Sequence, residues 1–268
     1  LEGNQLGVFT DARRLSTVQM QRLARELNFS ETAFVLPAEK GGDARIRIFT
    51  PRRELPFAGH PVLGSAFVVG AEMQLSTVRL ETGLALVPVE LEREGKQIVF
   101  GRMQQAIPSW GPYERQAELL DALGVERSEL PVEAYANGPL HVYIALENEE
   151  AVASLRPDMG GLAELGEIAA NCFSGSGARW KTRMFAPAGG VPEDPATGSA
   201  AGPLAVHLSR HGKIAFGEEI EIRQGAEIGR PSLLYARAVG GPEGIERVEV
   251  GGSAAIVGRG EFLASAWA

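Results

Sequence analysis

Apolar positions along the first hundred residues alternate between a helical period and a period of two, and each change of period marks a new element. Met20, Leu23, Ala24 and Leu27 form one helical stripe. Ser16 and Gln19 are spaced as a capping box, Leu15 and Met20 stand at the staple positions, and Asn28 suits a left-handed C-terminal cap. The spacing predicts a helix over Ser16 to Asn28, then a turn at Phe29 entering a strand that reaches Leu36 and is closed by Pro37. Glu31 falls at that element boundary. Arg45-Ile-Arg-Ile-Phe49 alternates as a half-buried strand does, and Pro51 ends it. A loop is expected from Arg52 to Pro61, then a buried helix of small apolar residues over Val62 to Ala71 with Pro61 as its first-turn proline. Strands over Val78 to Glu81, Ala85 to Glu90 and Gln97 to Phe100 complete this first half.

The plan then repeats. Arg47-Ile-Phe-Thr-Pro51 and Arg183-Met-Phe-Ala-Pro187 lie 136 residues apart, Pro56 matches Pro192 at the same offset, and four of the ten positions from 47 to 56 are identical. Gln5-Leu-Gly-Val-Phe9 matches Pro139-Leu-His-Val-Tyr143 at an offset of 134, half of the 268 residues. Two similar halves are expected, residues 1–112 and 113–268, with the C-terminal end of the chain returning to the first half. The second half has an apolar lead-in, Leu130 to Ala136, before its Asn-Gly-Pro turn, whereas the first half opens almost at the turn; a strand is therefore expected to precede Leu1.

Composition narrows the class. The chain has 33 Gly and 16 Pro among 268 residues, enough turn formers for many short strands, and its 44% hydrophobic and 22% charged content is that of a folded chain. A net charge of −8 with no basic patch argues against nucleic acid, since Arg13–Arg14 and Arg52–Arg53 are isolated pairs. The longest stretch without charged residues, Leu55 to Ala71, is broken by Pro56, Gly59, Pro61 and Gly64, so no membrane span is expected. A single cysteine, Cys172, excludes an internal disulfide and points to the reducing cytoplasm. Its apolar neighbours predict a buried thiol. His207 and His211 are spaced for metal binding but no third ligand is near in sequence, and no metal site is expected. No phosphate loop, His-Glu-x-x-His, Cys-x-x-Cys or Gly-x-Ser-x-Gly motif is present.

Two loops carry candidate chemistry. Glu54-Leu-Pro-Phe-Ala-Gly-His-Pro61 places His60 at the start of a helix, and the matching loop from Pro192 holds Asp194 and leads into a small-residue helix over Ala200 to Leu208. Backbone N–H groups at both helix starts favour a carboxylate or phosphate, and glycine permits close approach. Taken singly, His60 is an ordinary loop histidine, Asp194 a helix-entry acid and Glu31 a solvated carboxylate. Together, two acids and a histidine beside two helix starts suit proton transfer on a small carboxylate-bearing molecule.

These residues also carry a resemblance. Asn28-Phe-Ser-Glu-Thr-Ala-Phe-Val35, Arg47-Ile-Phe-Thr-Pro51, Glu54-Leu-Pro-Phe-Ala-Gly-His-Pro61 and Glu193-Asp-Pro-Ala-Thr-Gly-Ser-Ala200 resemble the phenazine-biosynthesis isomerase family, and the resemblance runs along essentially the whole chain. It implies an α+β fold like that of diaminopimelate epimerase: two pseudo-symmetric halves, each a mixed β-sheet around a central helix. That epimerase uses two cysteines as acid and base; the corresponding loops here hold none. The resemblance implies cofactor-free isomerisation of trans-2,3-dihydro-3-hydroxyanthranilate, a cyclic substrate bearing a carboxylate and an amine, to an aminoketone. It assigns catalysis to Glu31, His60 and Asp194, substrate binding to Gly59, Gly198 and Ser199, and a homodimeric state. Gln5 departs from the family's usual Gly-Asn-Pro-Val, which has proline there. Two other readings remain: an isomerase or epimerase of the same fold acting on another small amino or hydroxy acid, and a non-catalytic small-molecule binding protein.

Overall fold

Local capping defines the first helix as its sequence predicts. In the computed structural model, which describes residues 1–263, Ser16 caps α1 (Thr17–Leu27) and both halves of the capping box are formed, while Asn28 closes the helix at φ 52°. By contact the chain divides into two units. One gathers Gln5–Phe57, Pro61–Arg102 and, of the described residues, 252–263; the other gathers Leu1–Asn4, Ala58–His60 and Met103–Gly251.

The first unit runs β1 (Leu6–Phe9), α1, β2 (Glu31–Leu36), β3 (Ala44–Phe49), β4 (Glu54–Leu55), α2 (Gly59–Met73, of which Gly59 and His60 belong to the other unit), β5 (Thr77–Glu81), β6 (Leu86–Glu94) and β7 (Gln97–Gln105), the chain leaving the unit within β7. Its strand order is β1-β2-β3-β5-β6-β7. β1 and β2 are parallel, β2 and β3 antiparallel, β3 and β5 parallel, β5 and β6 antiparallel, and β4 adds to β3. Phe9 stacks on Phe34 at 4.8 Å, Phe34 meets Phe49 edge to face at 5.4 Å, and the three join Met20, Leu23 and Ala24 of α1 in a small core. α2 has no strongly polar face, as a helix surrounded by protein requires. Leu91, Val78 and Ile98 crowd Gly70, and Leu63 and Phe67 crowd Gly101, so the strands close tightly on this helix.

α2 begins three residues earlier than the expected Val62, and His60 lies in its first turn rather than in a loop. Pro61 is the third helical residue. The first-turn N–H groups have no helical acceptor, so a proline missing that N–H fits any of those positions and does not by itself mark the first.

The second unit runs β8 (Ser109–Pro112), α3 (Gln116–Leu123), β9 (Glu133–Ala136), β10 (Leu140–Ala145), α4 (Glu149–Ser154), α5 (Met159–Glu164), β11 (Ala169–Ser176), β12 (Arg179–Ala186), β13 (Val191–Asp194), α6 (Gly198–Arg210), β14 (Ile220–Gln224), β15 (Ser232–Gly241) and β16 (Gly244–Gly252). Its strand order is β16-β15-β14-β12-β11-β10-β9-β8. β10 and β11 are parallel, β11 and β12 antiparallel, β12 and β14 parallel, β14 and β15 antiparallel, and β13 adds to β12. This is the succession found in the first unit, with α6 in the place of α2, so the internal repeat of the sequence is a repeat of connections. Alternation sorts the strand faces: Val142, Ile144, Ala170 and Cys172 join the core beneath α3 to α5, while His141, Tyr143 and Asn171 face the other way. Among the described residues no helix is long and apolar enough to cross a membrane.

Candidate active site

Small residues let two chain segments meet backbone to backbone. A Cβ on Gly59 would lie 2.6 Å from the amide nitrogen of Ser199 and 2.7 Å from the carbonyl carbon of Gly198; one on Gly198 would lie 3.3 Å from the amide nitrogen of His60. Gly59 and His60 open α2 and Gly198 and Ser199 open α6, so first-turn N–H groups of two helices are gathered in one place. That collection of partial positive charge suits a carboxylate. All four residues belong to the second unit.

Asp194 ends β13 beside them and is 6% exposed. Its Oδ2 accepts from the Thr197 hydroxyl at 2.6 Å and its Oδ1 from the Asn4 side chain at 2.9 Å. The same Asn4 Nδ2 reaches the Ala196 carbonyl at 3.1 Å and stands 3.3 Å from His60 Nδ1, tying the histidine to the acid. Gln224 holds the turn from behind, donating to the Asp194 carbonyl at 2.7 Å and to Thr197 Oγ1 at 2.9 Å, and accepting from the Thr197 N–H at 3.2 Å. The geometry thus brings together His60, Asp194, Gly59, Gly198 and Ser199.

Further buried polar side chains fasten the start of α6. Gln105 donates to the Gly198 carbonyl at 2.8 Å, Asn137 to the Ser199 carbonyl at 2.9 Å, and Tyr143 to the Ala200 carbonyl at 2.6 Å. His141 Nε2 stands 3.1 Å from the Ser199 hydroxyl. Thr197 lies within the Asp-Pro-Ala-Thr-Gly-Ser motif but carries no role there, and none of Asn4, Gln224, Gln105, Asn137 or His141 is assigned a role by a motif. Their signal is only that of polar residues inside otherwise apolar strands and turns, and their partners lie up to 190 positions away.

Glu31 is the first residue of β2 and belongs to the other unit, with Leu6 beside it in the β1–β2 ladder. The residue is half-buried, yet its Oε2 is shielded from solvent. Burial pushes the carboxyl above the ordinary 4.5, while a hydrogen bond from Ser30 pulls the other way. A carboxylate raised in this manner is suited to taking and returning a proton near neutral pH.

The expectation that His207 and His211 lack a third ligand is corrected. Glu133, brought in by the β9–β10 pairing, lies 3.2 Å from His207 Nδ1 and 3.0 Å from His211 Nε2. Sequence distance hid it, since it stands 74 residues before His207. The same Oε2 accepts from Tyr135 at 2.9 Å and Arg210 at 2.7 Å, and Arg210 lies over the Trp110 ring at 4.6 Å. A cation bound there has to displace a guanidinium already in place. Burial alone raises Glu133, but these four donors hold it well below the usual carboxylate range. Cys172 is fully buried, and burial pushes its thiol up to about 12, which leaves it a packing residue.

Comparison with known proteins gives the family and the fold. Residues 1–260 match the family described as phenazine biosynthesis-like protein. The chain is 53% identical to the trans-2,3-dihydro-3-hydroxyanthranilate isomerase of Pseudomonas fluorescens, across 98% of this chain and 95% of that protein. It is 54% identical, with the same coverage, to the isomerase of the same name from Pseudomonas chlororaphis. A solved protein from Pseudomonas aeruginosa, titled a predicted epimerase, superposes with a TM-score of 0.83 at 30% identity, covering 98% of this chain and 94% of its own. A probable proline racemase from Agrobacterium radiobacter shares the fold alone, with a TM-score of 0.61 at 13% identity over 89% and 79% of the two chains. The expected α+β, epimerase-like fold is the one these neighbours have.

Proposed function

The chain belongs to the phenazine biosynthesis-like protein family and is an isomerase, and on that footing we propose that its substrate is trans-2,3-dihydro-3-hydroxyanthranilate. The observation that carries the reading is identity above one half along nearly the whole of both chains with proteins of that named activity. The backbone meeting of Gly59–His60 with Gly198–Ser199 supports it, because the substrate bears a carboxylate that such N–H groups bind.

In this reading Glu31 removes the proton from the ring carbon bearing the hydroxyl and delivers it to the carbon bearing the carboxylate. The double bonds shift, an enol results, and it tautomerises to the aminoketone. The proton removed is returned and no electron leaves, so the step balances without a redox partner. Gly59, His60, Gly198 and Ser199 hold the carboxylate, and Asp194 contacts the amine and assists proton movement. Clamping both ring carbons within reach of one carboxylate is where the rate comes from, since a positioned base spares the entropy of encounter. The chain works as a homodimer in the cytoplasm, where a lone buried thiol such as Cys172 stays reduced.

Mixing the chain with trans-2,3-dihydro-3-hydroxyanthranilate in the presence of a chelator, and following loss of ultraviolet absorbance, tests the substrate. Conversion to a product of unchanged mass supports it; no conversion, with turnover of another amino or hydroxy acid from a panel, replaces it. Light scattering tests the dimer by asking for twice the mass of one chain.

A further inference from the structure

Ser199 can hold a carboxylate only as a donor, and a serine hydroxyl rotates freely unless something decides which way its proton points. Among the described residues the partner of Ser199 Oγ is His141, whose Nε2 lies 3.1 Å away. His141 is on β10 and 1% exposed, so its ring is locked in place. Its other nitrogen, Nδ1, lies 3.4 Å from Asn171 Nδ2 on the neighbouring strand β11. The identity of that amide nitrogen is set independently: it is 2.7 Å from the Ala169 carbonyl, an acceptor that an amide oxygen cannot face. Asn171 therefore presents its second N–H to His141 Nδ1, which must accept. The single ring proton is left on Nε2, and Nε2–H donates to Ser199 Oγ. With its oxygen accepting, the Ser199 hydroxyl is turned to donate elsewhere.

We propose that His141, held in one tautomer by Asn171, is a positioning residue that makes Ser199 a dedicated hydrogen-bond donor to the substrate carboxylate. This rests on the reading of Ser199 as a carboxylate-binding residue. Burial drives the His141 imidazole down to about 3, so it carries one proton throughout the working range and the arrangement does not alter with ordinary changes of pH. The strand register makes the chain of contacts self-consistent. Tyr143, two residues along β10 on the same face and paired with Asn171, fastens the next carbonyl of α6 at Ala200.

Two measurements test it. Nitrogen-15 spectra of the histidine-labelled chain, assigned with the His141→Gln variant, report the tautomer without any substrate; protonated Nε2 and bare Nδ1 are expected, and a proton on Nδ1 overturns the proposal. A kinetic cycle then uses His141→Phe, His141→Gln and Ser199→Ala. His141→Phe is expected to raise KM about tenfold with kcat within about threefold, the size of one lost charge-assisted hydrogen bond. His141→Gln, which keeps a donor near Nε2, restores most of it, and His141→Phe adds nothing in the Ser199→Ala background. An equal KM effect with and without Ser199 overturns the positioning role. Should His141→Phe fail to fold, the tautomer and the His141→Gln comparison still decide. An unchanged KM in Ser199→Ala alone removes Ser199 from the carboxylate site, a failure of the functional reading that the tautomer measurement separates from failure of the histidine's orientation.

Discussion

Adding one methyl group at Gly59 perturbs the candidate site at its narrowest point. The new Cβ meets the amide nitrogen of Ser199 at 2.6 Å and the carbonyl carbon of Gly198 at 2.7 Å, both backbone atoms in the first turn of a buried helix. Ordinary contact begins at 3.4 Å, so one backbone must retreat by roughly 0.8 Å, since the atoms met are backbone atoms that no side-chain rotation can move aside. Overpacking of this kind costs about 1–3 kcal/mol of stability. The larger consequence falls on catalysis, because a displacement near 1 Å at a binding group costs on the order of 10²-fold in rate. Gly64→Ala is the control on the same helix: its Cβ meets only the side chain of Leu6, most closely its Cδ2, the far end of a side chain that can turn. The assay is kcat/KM for trans-2,3-dihydro-3-hydroxyanthranilate together with the thermal midpoint of both variants. Gly59→Ala is expected to lose about 10²-fold or more while still folded, and Gly64→Ala to stay within about threefold. A folded Gly59→Ala with kcat/KM within threefold of the parent refutes the claim that Gly59 and Gly198–Ser199 form a precise cradle.

Three further outcomes follow from the charges. Because burial raises Glu31 above 4.5 and the base must be ionised, kcat should fall on acidification with a midpoint above the ordinary carboxylate range; Ser30→Ala, which removes the hydrogen bond pulling the other way, should move that midpoint higher still. His141 titrates at 6.5 when unfolded and at about 3 when folded, so its contribution is fully present above 6.5 and is lost as pH falls toward 3. Urea unfolding at pH 5 should show about 2 kcal/mol of this loss, absent from His141→Phe, and equal slopes in the two proteins contradict it. Glu133→Ala leaves Arg210, His207, His211 and Tyr135 without their shared acceptor and should cost about 3 kcal/mol in chemical unfolding, a loss below 1 kcal/mol refuting its role as the hub.

Local signals were readable wherever a residue's partner lies within a turn of it. Ser16, Gln19 and Asn28 define α1 because capping is decided over four residues. The repeat at offsets of 134 and 136 anticipates the shared succession of parallel and antiparallel pairings, since duplicated strand sequences carry duplicated connections. The start of α2 was less readable, because Pro61 is compatible with any first-turn position. The supports of the site were not readable at all. Asn4 reaches Asp194 across 190 residues, Gln224 reaches Thr197 across 27, and Glu133 reaches His211 across 78. Such partnerships depend on strand register and helix packing, which arise only once the chain has folded, and hydrophobic periodicity carries no trace of them. His141 illustrates the point: in Leu140-His-Val-Tyr-Ile144 it reads as one polar position of an alternating strand, and only the parallel pairing with β11 puts Asn171 against it.

Glu31 is proposed to move a proton within trans-2,3-dihydro-3-hydroxyanthranilate. The most direct test is a side-by-side measurement of substrate loss by the parent chain and by Glu31→Gln, which keeps the shape of the side chain and removes the base, with folding of both checked by circular dichroism. The account predicts rapid loss with the parent and a fall in kcat of about 10²- to 10⁴-fold in the variant. Undiminished conversion by Glu31→Gln contradicts it.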